Sequence, residues 1–172
     1  RRQRQMCIRD RSKSGTVLLS TTQVNDVING VINLDGVVDV SAFDGNSSAG
    51  LAGALAQGDI NINGTITADS VGNDPDSAPG TIVINSTRGT TTIDEQASIS
   101  ASTVGEEVNG GVVSINGNSI NIKTNDISAL GGDDGNAGVI TLSSGSELTI
   151  ADGARPSTCL LYTSPSPRDK TV

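Results

Sequence analysis

The chain has 172 residues, a formal net charge of −8, an aromatic content of 1% and no histidine. An acidic surface repels phosphate backbones, and so few aromatic rings leave no platforms for base stacking, which excludes nucleic-acid binding. No apolar run approaches the roughly 20 residues that a membrane-spanning helix needs.

In chain order, the first segment is RRQRQMCIRDR, which holds the only methionine and one of the two cysteines. The other cysteine and the single tyrosine lie near the opposite end, in CLLYTSPSPRD. Writing Met6-Cys-Ile-Arg-Asp10 as ATG TGT ATA AGA GAC, followed by AG, gives the reverse complement CTGTCTCTTATACACAT. Read in its second frame, that strand encodes Cys-Leu-Leu-Tyr-Thr, which is Cys159 to Thr163. The two ends thus resemble one DNA element in inverted orientation, the translated arms of a transposase-based sequencing adaptor. Residues 1–11 and 159–172 are therefore expected to be adaptor-derived and non-native, and are set aside from fold reasoning as an expression scar would be.

The insert between them, Ser12 to Thr158, reads as a piece of a longer reading frame. It contains no cysteine, so neither a disulfide nor a Cys-ligated metal site is expected in it. Only Lys13, Arg88, Lys123 and Arg155 are basic there, and of the 19 acidic residues only Asp10 and Asp169 lie outside it. Seventeen acids thus face four bases. Residues 12–29 are expected to form a lead-in or a partial turn.

From Gly30 onward one line recurs: GVINLDG (Gly30 to Gly36), GDINING (Gly58 to Gly64), GTIVINS (Gly80 to Ser86), GVVSING (Gly111 to Gly117) and GVITLSS (Gly138 to Ser144). A second line follows, as in SINI (Ser119 to Ile122) and ELTI (Glu147 to Ile150). A third begins at Val40, Ile66, Ile99 and Ile127 as VSA, ITA, ISA and ISA. Each line alternates apolar and polar residues and is rich in β-branched side chains, the pattern of strands with one buried face. Asn63-Gly64, Asn116-Gly117 and Ser144-Gly145 are read as turns that use the positive φ of glycine. The same order of strands returns at starts 28, 22, 31 and 27 residues apart, which favours turns stacked in parallel over hairpins. The expected fold is all-β: a right-handed parallel β-helix of about five turns over residues 30–158, with irregular termini.

The expected inward stack is Ile32 and Leu34, then Ile60 and Ile62, then Ile82 and Ile84, then Val113, Ile115, Ile120 and Ile122, and finally Ile140, Leu142, Leu148 and Ile150. Val38, Val40, Ile66, Ala68, Ile93, Ile99 and Ile127 complete the turns. One such turn buries too little to fold alone, so stability must come from neighbouring turns. The variable stretches FDGNSSAGLAGALAQ, DSVGNDPDSAP, STVGEEVNG and LGGDDGNA should all leave the coil at one corner, with AGLAGALAQ able to form a short helix.

GGDDGNAGVITLSSGSELTIADGA and GGVVSINGNSINI resemble the repeats of filamentous-haemagglutinin-like adhesins, over most of Gly30 to Ala154. That resemblance implies a secreted, surface-associated bacterial rod, exported through an outer-membrane partner. It also implies contact with host or neighbouring-cell surfaces through regions outside this piece. The secretion domain of that family is not located in the insert.

The enzymatic alternative is a fragment of a β-helical polysaccharide lyase or glycoside hydrolase. TNDISALGGDDG resembles the acidic motifs of pectin-cleaving glycosidases and would offer Asn125, Asp126, Asp133 and Asp134 for acid–base work. The order is TND rather than NTD, the histidine motif is missing, and a lyase-type base has only Arg88 or Arg155 to draw on. No catalytic residue is therefore expected in the fragment. GGDDGNAGV also partly resembles the glycine-rich nonapeptide that binds Ca²⁺ in secreted toxins, though Asp and Gly stand in other places. Asp133, Asp134, Asp74 and Asp76 are the candidates for a hard cation held between stacked loops, and no other cofactor is expected. Asn46-Ser-Ser, Asn63-Gly-Thr and Asn85-Ser-Thr fit the glycosylation pattern and are given no role. Thr90-Thr91-Thr92 does not recur on every turn, as an ice-binding array would.

Overall fold

A computed structural model describes residues 9–11, 15–21, 30–43, 48–72, 78–105, 108–133, 135–154, 156–157 and 159–163, the first and last of these as backbone alone. All regular structure among them is β, every strand pairing is parallel, and the chain winds into a β-solenoid of about 4 turns. The expected five turns are approached because further strands pair at either side of the complete turns.

Three faces run along the coil. The first stacks Thr16–Ser20, Leu51–Ala56, Thr81–Ser86, the leading half of Val112–Ile122, the leading half of Val139–Ile150, and Cys159–Thr163. The second stacks Ile32–Leu34, Ile60–Ile62, Thr90–Ile93 and the trailing halves of the same two long strands. The third stacks Arg9–Arg11, Val37–Asp39, Thr65–Thr67, Ser98–Ser100 and Ile127–Ser128. A short fourth pairing joins Ser70–Val71 to Thr103–Val104. Thr16–Ser20 begins the first face ahead of Gly30. Arg9–Arg11 and Cys159–Thr163 also lie in the sheets, since the backbone groups of a strand edge accept any extended chain.

The register corrects the repeat drawn from sequence. GVINLDG and GDINING belong to the second face, whereas GTIVINS, GVVSING and GVITLSS belong to the first. The irregular 22-residue step from Gly58 to Gly80 is the passage from one face to the other. On the second face alone, the partners Ile32, Ile60, Thr91, Ile120 and Leu148 lie 28, 31, 29 and 28 residues apart. The third face is corrected in the same way. Val38 pairs with Ile66, so Val38-Asp-Val40 rather than Val40-Ser-Ala42 begins that column. Both registers bury apolar side chains in V-D-V-S-A, so the pattern by itself does not choose between them.

AGLAGALAQ does not form a helix. Leu51–Ala56 is a first-face strand whose Ala52, Ala54 and Ala56 are buried against the next turn. Alanine favours helices as a residue type, but here a parallel partner on either side supplies the backbone hydrogen bonds.

The interior consists of aliphatic columns. Ala52, Ile82, Val113 and Ile140 form one on the first face, beside Ala54, Ile84, Ile115 and Leu142. On the second face Leu34, Ile62, Ile93 and Ile122 are buried in register. Val38, Ile66, Ile99 and Ile127 do the same on the third. Ile32, Ile60 and Ile120 share a column with Thr91, whose buried hydroxyl donates to the Asn116 carbonyl at 2.9 Å. Two members of the expected stack differ. Leu148 is only partly buried and Ile150 is 38% exposed. Cys159–Thr163 covers only Val139–Ser143 of that turn, so no strand stacks over Glu147–Ile150 among the described residues.

The glycines do something other than make positive-φ turns. Among the described residues the positive-φ glycines are Gly105 and Gly153, and Gly64, Gly117 and Gly145 are not of that kind. At Gly153 (φ 92°) the chain closes a turn in which Ala154 N–H donates to the Ala151 carbonyl at 3.0 Å. Elsewhere glycine permits close stacking. A Cβ at Gly64 would sit on the carbonyl oxygen of Gly36, and one at Gly138 on that of Gly111. The first-face glycines also shut the coil. Gly50, Gly80, Gly111 and Gly138 N–H donate to the carbonyls of Val40, Ala68, Ala101 and Ala129 at 2.8, 3.2, 2.7 and 2.7 Å. Each variable stretch leaves and re-enters the coil at that clamp, which is why its length can vary without disturbing the turns.

Candidate functional site

Three polar features lie outside the aliphatic columns. The first is a shallow, open depression at the corner between the first and second faces. Its walls come from three successive turns: Asn85, Ser86 and Thr87; Asn116, Gly117 and Asn118; Ser143, Ser144 and Gly145. Short polar residues recur there because the backbone bends sharply and its free groups need partners. Ser86 Oγ donates to the Gly58 carbonyl at 2.7 Å and accepts from Gly89 N–H at 3.0 Å. Ser146 Oγ donates to the Asn118 carbonyl at 2.8 Å. No residue lining the depression is ionisable, so its Ser and Thr hydroxyls have no general base within that lining to activate them.

The second feature is a ladder of small polar side chains on the outside of the third face. Asp39 Oδ1 accepts from Ser41 N–H and Thr67 Oγ1, both at 3.1 Å. Asp69 Oδ1 accepts from Ser100 Oγ at 2.6 Å and from Ser102 N–H at 2.8 Å, while its own N–H donates to Ser41 Oγ at 3.1 Å. Ser128 Oγ continues the ladder to Ser100 Oγ at 3.1 Å. Apart from the Ser41–Asp39 bond within one turn, these bonds bind one turn to the next, and the two carboxylates serve as acceptors, a structural use of acids. Asn33 and Asn61 form a comparable rung on the second face, amide to amide at 2.9 Å.

The third is an ion pair at the corner between the second and third faces. Lys123 Nζ lies 3.4 Å from Asp94 Oδ1, bridging successive turns. The backbone N–H of Glu95, which donates to the same oxygen at 3.0 Å, holds the Asp94 carboxyl below its ordinary value of 3.8. Desolvation opposes that shift, and the Lys123 ammonium adds to it.

Among the described residues, those singled out for chemistry are not gathered into a centre. Asn125 and Asp126 are exposed immediately before Ile127–Ser128, and Asp126 N–H donates to Thr124 Oγ1 at 3.1 Å. Asp133 is exposed beyond the far end of that segment, past Leu130, Gly131 and Gly132. Asp74, Asp76, Asp134 and Arg155 lie outside the described residues. Among the described residues no three His, Cys, Asp or Glu side chains come together to hold a metal ion. Arg88 stands beside the polar corner, its backbone N–H bonded to the Gln57 carbonyl at 3.0 Å. The polar corner itself has no sequence signature that separates it from the Asn/Ser-rich joins around it.

No protein-family model, curated protein or solved structure matches the chain.

Proposed function

We propose that this chain is a non-catalytic structural segment, a stalk or passenger portion of an exported, adhesin-like bacterial surface protein. The observation that supports this reading best is the run of aliphatic columns through successive turns, broken by one polar member, Thr91. The same few side chains fill every turn, and corner hydroxyls such as Ser86 and Ser146 join one turn to the next. Such a coil can be lengthened by adding turns without new chemistry, which is what a spacer requires. The work is mechanical: the rod holds a distal region away from the cell, while its acidic inserts keep it soluble and oppose lateral pairing.

Expression of the longer reading frame that encloses this chain tests the proposal. Small-angle scattering should give a rod of constant cross-section whose length grows by about 4.8 Å per added turn. An assay of the same product on polygalacturonate should give no new reducing or unsaturated ends. A compact product would contradict the rod, and turnover of the polymer would favour the carbohydrate-active alternative.

A further inference from the structure

An aspartate or asparagine followed by glycine can close on itself. The glycine amide nitrogen attacks the side-chain Cγ, and no Cβ on the attacking residue stands in the way. In a folded chain the reaction needs a glycine N–H free of hydrogen bonds and a peptide unit able to rotate, and otherwise waits for local opening.

The pairs in this coil differ in both respects. In Asn63–Gly64 the glycine N–H donates to the Leu34 carbonyl at 2.9 Å, and the Gly36 carbonyl oxygen occupies the place of a Cβ. In Asn109–Gly110 the glycine N–H donates to the Asn136 carbonyl at 2.9 Å. Asn109 Oδ1 is held as well, accepting from Asn136 N–H and Nδ2 at 3.0 Å each. Asn116–Gly117 lies inside Val112–Ile122, in register with Ser143 and Ser144 of the next turn, and Asn116 Nδ2 donates to Ser114 Oγ at 3.1 Å.

Asp152–Gly153 has none of these restraints. Both residues are exposed, in the bend that follows Val139–Ile150. The bend is closed by Ala154 N–H donating to the Ala151 carbonyl at 3.0 Å, and among the described residues the Gly153 N–H has no partner. With φ at 92°, Gly153 has nothing within 4 Å of the position a Cβ would take. Positive φ at the third place of a turn belongs to glycine.

We propose that Asp152–Gly153 is a modification site at which the chain converts its own aspartate to isoaspartate. The Gly153 nitrogen bonds to Asp152 Cγ, and its proton leaves with the hydroxyl of the protonated carboxyl as water. Water then opens one of the two C–N bonds of the succinimide. Opening at Cγ restores aspartate, whereas opening at the Asp152 main-chain carbonyl leaves the chain running through Cβ and Cγ. The sum is an isomerisation that needs no oxidant, metal or enzyme. Its product lengthens the main chain by one carbon between Ala151 and Ala154, so the bond that closes the bend loses its geometry. Ala154 packs against the core, and Ile150 has a stacked neighbour on one side only, so the change falls on the least supported described turn. The site does not depend on the stalk reading.

Ageing of the 172-residue chain at neutral pH and physiological temperature, in water enriched in heavy oxygen, tests the assignment by peptide mass spectrometry. Each ring opening at position 152 places one solvent oxygen in that peptide. Rates are compared between the folded chain and the chain held unfolded in urea. At Asp152 the two should agree within about three-fold, while deamidation at Asn63 and Asn109 should be at least about ten-fold slower in the folded chain. The isoaspartyl peptide, identified by its backbone fragments, should carry the heavy oxygen. Asp152→Glu should abolish both signals, because glutamate would have to close a larger ring. Protection of Asp152 in the folded chain as strong as that of Asn63 would overturn the proposal. So would heavy oxygen without isoaspartate, or labelling that persists in Asp152→Glu.

Discussion

Ile122 and Ile150 are the same residue type at the same station of successive turns, paired in register across the second face. Ile122 is fully buried, with Ile93 on one side and Ile150 on the other, whereas Ile150 has a neighbour on one side only and remains 38% exposed. The difference belongs to the stack, not to the side chain. In this fold a turn is stabilised in proportion to what lies above and below it, so interior turns should be stiff and the last described turn should open first.

The largest expected effect follows directly. Ile122→Ala removes three side-chain carbons from a column filled on both sides and should cost about 2–5 kcal/mol. Ile150→Ala should cost about 1 kcal/mol or less, because much of the removed surface is already wet. Chemical denaturation of the two variants measures the gap, and equal losses would mean that the two positions share one environment.

A smaller effect contrasts two glycines. A Cβ at Gly111 would press on the Ala101 carbonyl oxygen at 2.7 Å and on the Ala101 Cβ at 2.9 Å. Gly111→Ala should therefore destabilise by roughly 1–3 kcal/mol, as overpacking does. Gly145→Ala meets nothing closer than the Asn118 side-chain oxygen at 3.3 Å, and its melting temperature should stay near the parent's. Reversal of that order would return the glycines to a turn-forming role.

The threonine in the isoleucine column sharpens the same comparison. Thr91→Val keeps the shape, makes the column continuous and gives up one hydrogen bond to the Asn116 carbonyl, so the two changes should nearly cancel, within about 1 kcal/mol. A loss well beyond that in denaturant titration would identify the hydroxyl as a register lock for the corner.

The smallest effect is electrostatic. Asp94 has its folded pKa lowered, so its contribution to stability is present above the unfolded value near 3.8 and is lost as pH falls through the folded value. Lys123→Ala should move the Asp94 titration, followed by NMR, upward toward 3.8 without abolishing its depression, because the Glu95 N–H remains. A carboxyl that titrates identically in parent and variant would show that the lysine is a bystander.

How much of this was legible in the sequence can be argued from particular segments. Period-two alternation in GDINING and GTIVINS revealed strands with one buried face, and their return along the chain revealed parallel stacking. Which face each segment occupies was hidden, because G-x-I-x-I suits the first and second faces equally. Leu51–Ala56 was hidden by its alanines, whose local preference is overridden by strands on either side. The glycine clamps were hidden too, since close approach between turns leaves no mark on the residues adjacent in sequence. The polar corner was illegible because the Asn and Ser that line it are the residue types of every tight bend in the chain.

The central claim is that aliphatic side chains from successive turns stand in register columns. Methyl–methyl nuclear Overhauser effects in protein labelled at isoleucine, leucine and valine methyls test it most directly. The account predicts strong effects from Ile93 to both Ile62 and Ile122, and from Ile115 to both Ile84 and Leu142. Absence of both Ile93 effects in well-resolved spectra would contradict the stacking and everything built on it.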